Sequence, residues 1–281
     1  RLLAFELPLF SAALAHWNVA IALGRFRQRA LGSATRWIAR LALVVGCTEI
    51  GLSPQAAMVG IIVASGVELA VARGCAPIPL SSGAGRTLAL MGLSMWPLWT
   101  SGVLMRAFER IDLLMLKGMG GSVGLVGVYA AAQSLCLLPA LVASAVAPQL
   151  LAAITRLWKV GGFDDARALA DQALRTAVWL VPIAAAIAGA ATDIVAWLFG
   201  PAYRDASGLL ALLIGAAVAQ VFIAVGVVVF IAVDRLRPVV MLTVTLLVGA
   251  VVGHLLVIPR WGGLGAAAVT LTASTLGAAA V

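Results

Sequence analysis

Four charged residues interrupt the otherwise apolar run from Leu104 to Lys117: Arg106, Glu109, Arg110 and Asp112. A charge inside a membrane span costs about 2.5–3.5 kcal/mol on insertion scales, so four together call for a function or for mutual pairing. At 100° per residue they fall within one half of a helix circumference, and that half must face water or a paired interior. An arginine fork binds phosphate bidentately. Arg106 and Arg110 are therefore candidates to hold the pyrophosphate of a carrier lipid, with Glu109 and Asp112 pairing the arginines when the site is empty. The plainer reading is that the four pair along the helix near its outer end and line nothing.

Other polar residues within apolar runs are weaker pointers. Glu68 is a candidate proton or coupling-ion site, although its distance from Arg73 also allows it to snorkel toward that end. Glu6, Glu49, Gln133, Gln149, Gln220 and His254 also lie in apolar runs, where an isolated Gln or His is most simply an interhelical hydrogen-bond partner. Neither His16 nor His254 has a neighbouring HExxH, cysteine or carboxylate, so no metal site is expected. Cys47, Cys75 and Cys136 have no CxxC spacing and read as small buried hydrophobes. The sequence has no GxSxG, phosphate-binding loop or dinucleotide fingerprint, and we expect neither a cofactor nor an enzyme activity.

The elements that hold these residues follow from composition. Hydrophobic residues are 63% of 281 and charged residues 11%, and the mean hydropathy is +1.10. A water-facing globule of this length could not cover itself, so the bilayer is the main solvent. The runs are too long and unbroken for barrel strands, which leaves an all-α polytopic bundle. Nine spans are expected, at about 2–23, 33–51, 54–73, 87–116, 123–152, 174–199, 206–232, 238–258 and 263–281.

The net charge of +8 lies between the runs rather than in an aromatic-interleaved stripe, which argues for topology and against nucleic acid. Connections 24–36, the one with Arg73 and Arg86, the one with Arg156 to Arg175, and the one with Arg235 and Arg237 are basic, hence cytoplasmic. The alternating set, around Glu49, Lys117, Asp193 to Asp205, and Arg260, is poor in basic residues. Trp37, Trp158 and Trp179 suit the inner interface and Trp197, Tyr203 and Trp261 the outer, whereas Trp17, Trp96 and Trp99 lie deeper. Within an inner elbow at 153–175, Asp164, Arg167, Asp171 and Arg175 share one helix face, where mutual ion pairs are expected, and Phe163, Ala166, Ala170 and Ala173 line another. That elbow is expected to lie on the membrane surface. Pro8, Pro97, Pro139 and Pro182 are expected to kink their spans.

The chain also echoes itself. Arg25-Phe-Arg27 recurs as Arg235-Leu-Arg237, 210 positions later, and Gly51-Leu52 as Gly263-Leu264, 212 later. Six spans lie between the copies, as in transporters built from two parallel halves. Arg1 opens inside an apolar stretch, and the repeat leads us to expect about three more spans before it, in a six-plus-six protein.

These residues resemble the oligosaccharidyl-lipid and polysaccharide exporters, the flippase branch of a superfamily that also contains the multidrug and toxin extruders. The likeness rests on Arg110-Ile-Asp112-Leu-Leu-Met-Leu, Gly121-Ser-Val-Gly-Leu-Val-Gly127-Val-Tyr129-Ala-Ala-Ala-Gln133, Pro148-Gln149-Leu, Leu198-Phe-Gly200-Pro-Ala-Tyr203 and Ile258-Pro-Arg-Trp-Gly-Gly-Leu-Gly265. It implies a two-lobed bundle, residues 1–86 completing the N-terminal lobe and 87–281 forming the C-terminal one. It also implies alternating access around a cationic cavity that carries undecaprenyl-pyrophosphate-linked oligosaccharide across the bacterial inner membrane. The implied partners are that lipid-linked substrate, membrane lipids, and polymerases or glycosyltransferases of polysaccharide synthesis, with the transporter itself a monomer. The alternative is a cation-coupled multidrug antiporter using Glu68 or Asp112. A membrane-embedded glycan polymerase or ligase would need a large outer loop with catalytic carboxylates, and every outer connection is short.

Overall fold

The computed structural model describes residues 6–49, 54–76 and 85–281, and among them it is helical with no strand. The chain divides into two compact units, Arg1–Arg86 and Thr87–Val281. The Gly51 end of the sequence echo lies outside the described residues.

Unit 1 is built from α1 (Glu6–Ala22), α2 (Phe26–Glu49) and α3 (Pro54–Cys75), with α3 packed on both others. Ala13, Trp17 and Ala20 of α1 meet Ala72 and Ala76, small residues that let the helices close around one indole. This packing accounts for the deep Trp17, and the Arg29 guanidinium lies 5.7 Å from its ring centroid. Much of the expected loop at 24–36 is helix instead. Gly24 (φ 72) turns the chain and α2 starts at Phe26. Some of the basic residues placed there serve the fold. Arg25 donates to the Cys75 carbonyl (2.8 Å) and His16 Nδ1 to the Ala76 carbonyl (2.7 Å), satisfying acceptors at the negative end of α3. Glu68 does not snorkel toward Arg73. It is buried and paired with Arg36 at 3.2 Å, the guanidinium lying over Phe10 at 4.5 Å. Beside it, the Ser65 hydroxyl donates to Glu6 at 3.4 Å.

Unit 2 contains α4 (Gly85–Phe108, entering from the last residues of unit 1), α5 (Ile111–Gly118), α6 (Val123–Leu135), α7 (Leu137–Lys159), α8 (Phe163–Val178), α9 (Leu180–Gly189), α10 (Ala191–Phe199), α11 (Ala206–Ala232) and α12 (Leu236–Ala279). α11 is apolar on every side, the mark of a helix surrounded by others, and it packs on α6, α7, α8, α9, α10 and α12. Leu209, Leu210, Leu213 and Ile214 join Tyr129, Val195 and Ile258 in the main core.

Three expected spans are broken. Span 87–116 divides at Glu109-Arg110, 123–152 at Cys136, and 174–199 at Trp179 and Ala190. Two of the breaks have a proline cause. Pro139 and Pro182 are the third residues of α7 and α9, where a missing N–H costs nothing, so each ends the preceding helix rather than kinking its interior. Pro97, by contrast, lies inside α4.

α12 is two helices joined at Gly262, whose φ of 55° and ψ of −132° are non-helical. The arms run back along each other. A Cβ on Gly253 would lie 2.7 Å from Val269, and one on Gly277 2.7 Å from Leu246. Both expected spans, 238–258 and 263–281, are therefore present as a tight hairpin.

By length and composition five described helical segments can cross a membrane: Met58–Cys75, Leu137–Lys159, Phe163–Gly189, Ala206–Ala232 and Leu236–Ala279. The chain is a multi-pass membrane protein. The last of these segments holds two arms, and α2 is interrupted by charge at Arg27, Arg29, Arg36, Arg40 and Glu49.

The elbow also differs from expectation. Ala166 and Ala170 of α8 are buried against Leu150, Ile154, Val228 and Ala232, so α8 is held by protein on its alanine face. Asp164, Arg167, Asp171 and Arg175 are exposed, and none of them forms an ion pair among the described residues, where the pairs are Arg36–Glu68 and Arg106–Glu109.

The sequence echo has a backbone counterpart. Gly24 N donates to Ile21 O and Arg25 N to Ala20 O; Asp234 N donates to Ile231 O and Arg235 N to Phe230 O. Each partner sits 210 positions from its counterpart, as do Gly24 (φ 72) and Asp234 (φ 58) and the starts of α2 and α12. The same helix-ending turn also closes at Gly120-Gly121 and Gly161-Gly162, so it occurs four times among the described residues.

Candidate functional site

Phe108 anchors the end of α4 in an apolar cluster with Ile223, Leu246 and Ala250. The helix stops there. Arg110, with φ −125° and ψ −6°, is the joint from which α5 restarts. A helical wheel run through this joint misplaces Asp112. The break turns Asp112 inward to 1% exposure while Arg106 and Arg110 remain exposed, so the four charges do not share one surface.

Among the described residues Asp112 pairs with no arginine. Its Oδ2 accepts from the Tyr129 hydroxyl at 2.8 Å and from Gln133 Nε2 at 3.2 Å, and its Oδ1 accepts from the Leu113 N–H at 2.8 Å. Tyr129 and Gln133 are four apart on α6, which places both on the face toward α5. Neutral donors thus hold a buried carboxylate with which no described cation forms an ion pair. Such a carboxylate can take up a proton or accept a cation in exchange for part of this cradle.

Arg106 forms the expected pair with Glu109 at 2.8 Å, a link between adjacent turns whose arginine side chain is 83% exposed. Arg110 donates instead to Gln133 Oε1 at 3.2 Å, and Gln133 Nε2 also reaches the Glu109 carbonyl at 3.4 Å. The amide therefore stands between Arg110 and Asp112, its oxygen on the cation and its nitrogen on the carboxylate. Glu68 belongs to unit 1 and to its own pair with Arg36.

The sequence alone presents Gln133 as a minor hydrogen-bond partner and gives Tyr129 no role. The available signal is their i, i+4 spacing as polar residues of an apolar helix. Among the described residues no group of three or more His, Cys, Asp or Glu is placed to hold a metal ion.

No protein-family model matches the chain, and no curated protein matches it. Its fold is similar to that in the crystal structure of a mutant of the Vibrio cholerae MATE transporter VcmN, with a TM-score of 0.73 at 17% identity over 95% of this chain. The chain spans 64% of the length of that neighbour.

Proposed function

We propose that this chain belongs to a flippase that moves a polyprenyl-pyrophosphate-linked oligosaccharide across the bacterial inner membrane by alternating access, with Arg106 and Arg110 receiving the pyrophosphate. The observation that carries the reading is a pair of exposed guanidinium groups beside a buried carboxylate that neutralises neither. Arg110 donates to a neutral amide, so its charge stays available. Glu109 holds Arg106 only through an exposed neighbouring-turn pair, which a dianionic group can displace. Gln133 gives the site its coupling route. A change of charge at Asp112 alters what Gln133 Nε2 donates to, and the same amide's oxygen holds Arg110. In this reading residues 1–86 complete an N-terminal lobe and 87–281 form the C-terminal one.

The test is complementation in cells lacking the full-length protein. Replacing Arg106 and Arg110 together by Ala is expected to abolish export of surface polysaccharide while protein level holds. Full export by that variant overturns the phosphate role.

A second reading, a cation-coupled multidrug antiporter, is favoured by the likeness to a MATE transporter and by the neutral cradle around Asp112. Dye efflux that Asp112→Asn abolishes and the double arginine variant leaves intact would support it over the flippase.

A further inference from the structure

α4 presents an aromatic pair on the same side as the arginine. The Trp96 and Trp99 rings stack with centroids 6.1 Å apart and planes 27° apart, and the residues are 61% and 65% exposed. At 100° per residue Trp96, Trp99, Val103 and Arg106 fall within about 80° of one another. At 1.5 Å per residue the two indoles precede Arg106 by roughly 15 and 10 Å along the axis. Val103 between them is exposed as well, and the helix is anchored near its end by Met105 and Phe108. The stripe therefore runs from an aromatic surface to a cation across one small aliphatic side chain.

Hydrocarbon is a poor match for this surface. Both tryptophans lie in the middle of α4 rather than near its ends, and an indole N–H finds no acceptor among lipid tails. A sugar ring matches it on both counts. Its C–H face carries partial positive charge that meets the negative face of an indole, and its hydroxyls accept from the indole N–H. The spacing suits the first sugars that follow a pyrophosphate.

Resting on the flippase reading above, we propose that Trp96 and Trp99 form a platform for the first sugars of the glycan whose pyrophosphate lies at Arg106. The pair selects glycan-bearing lipid over bare carrier and is tolerant of which pyranose it stacks.

The test is equilibrium binding to the purified full-length protein in nanodiscs. One probe is undecaprenyl pyrophosphate; the other carries two N-acetylglucosamine units on the same lipid. Trp96→Ala with Trp99→Ala is expected to weaken the glycan-bearing lipid about tenfold and leave the bare lipid unchanged. Double replacement by Phe should keep most of the affinity, and double replacement by Leu, which keeps apolar area without a π face, should not. The Arg106→Ala, Arg110→Ala variant should weaken both lipids. Unchanged glycan binding in the tryptophan variant, with the arginine effect intact, overturns the platform and leaves the flippase reading standing. Equal loss of both lipids in that variant also overturns it, because the indoles then only hold α4 against lipid or a neighbouring helix. Failure of the unmodified protein to bind either lipid overturns both proposals.

Discussion

Each unit buries one carboxylate, and the two are held in opposite ways. In unit 1 Glu68 is neutralised by Arg36 at 3.2 Å; in unit 2 Asp112 is held by Tyr129, Gln133 and a backbone N–H, with no ion pair among the described residues. Glu68 is thus half of an ion pair, whereas Asp112 is held by neutral donors alone, the arrangement that the proposed coupling role requires.

The largest expected effect breaks the first half of this comparison. Arg36→Ala leaves Glu68 buried and unpaired and should destabilise the protein by about 3–5 kcal/mol. Arg36→Leu combined with Glu68→Ala, which removes both charges together, should recover most of that loss. Thermal unfolding in detergent reads both, and a double variant as unstable as the single one would show that the loss comes from packing rather than from the unpaired charge.

Next in size, Tyr129→Phe removes one donor from Asp112 and should cost about 1–3 kcal/mol, read by the same unfolding measurement. Asp112→Asn, by contrast, should leave the protein folded while stopping transport, since it removes the charge that can change. Unfolding of the Asn variant together with loss of transport would make Asp112 structural, like Glu68.

The smallest effect belongs to the exposed pair. Glu109→Gln should shift stability by no more than about 0.5 kcal/mol, because Arg106 is largely open. A shift well beyond that would mean that Glu109 is bound more firmly than its geometry implies.

Much of the architecture was legible in the residues. Hydropathy placed α11 at 206–232, its observed bounds, and the Pro-Arg-Trp-Gly-Gly run marked the turn of the α12 hairpin. The turns before Arg25-Phe-Arg27 and Arg235-Leu-Arg237 close with the same bonds, as do those at Gly120-Gly121 and Gly161-Gly162, where no such motif stands. The site was legible only in part. No proline or glycine marks the joint at Glu109-Arg110, so a continuous helical wheel carried Asp112 to the wrong side. Partners across chain distance were equally hidden, since Arg36 meets Glu68 from another helix 32 positions away. The elbow's charge spacing permitted ion pairs, but burial of its alanine face fixes the helix without them.

The most direct test of the account is the initial rate of lipid-linked oligosaccharide flipping in proteoliposomes, measured for two folded double variants of the full-length protein. Arg106→Ala with Arg110→Ala should lower the rate by at least about tenfold. Arg36→Leu with Glu68→Ala should keep it within about twofold of the unmodified protein. Full flipping by the first variant, or loss of flipping confined to the second, would contradict the placement of the transport site in unit 2.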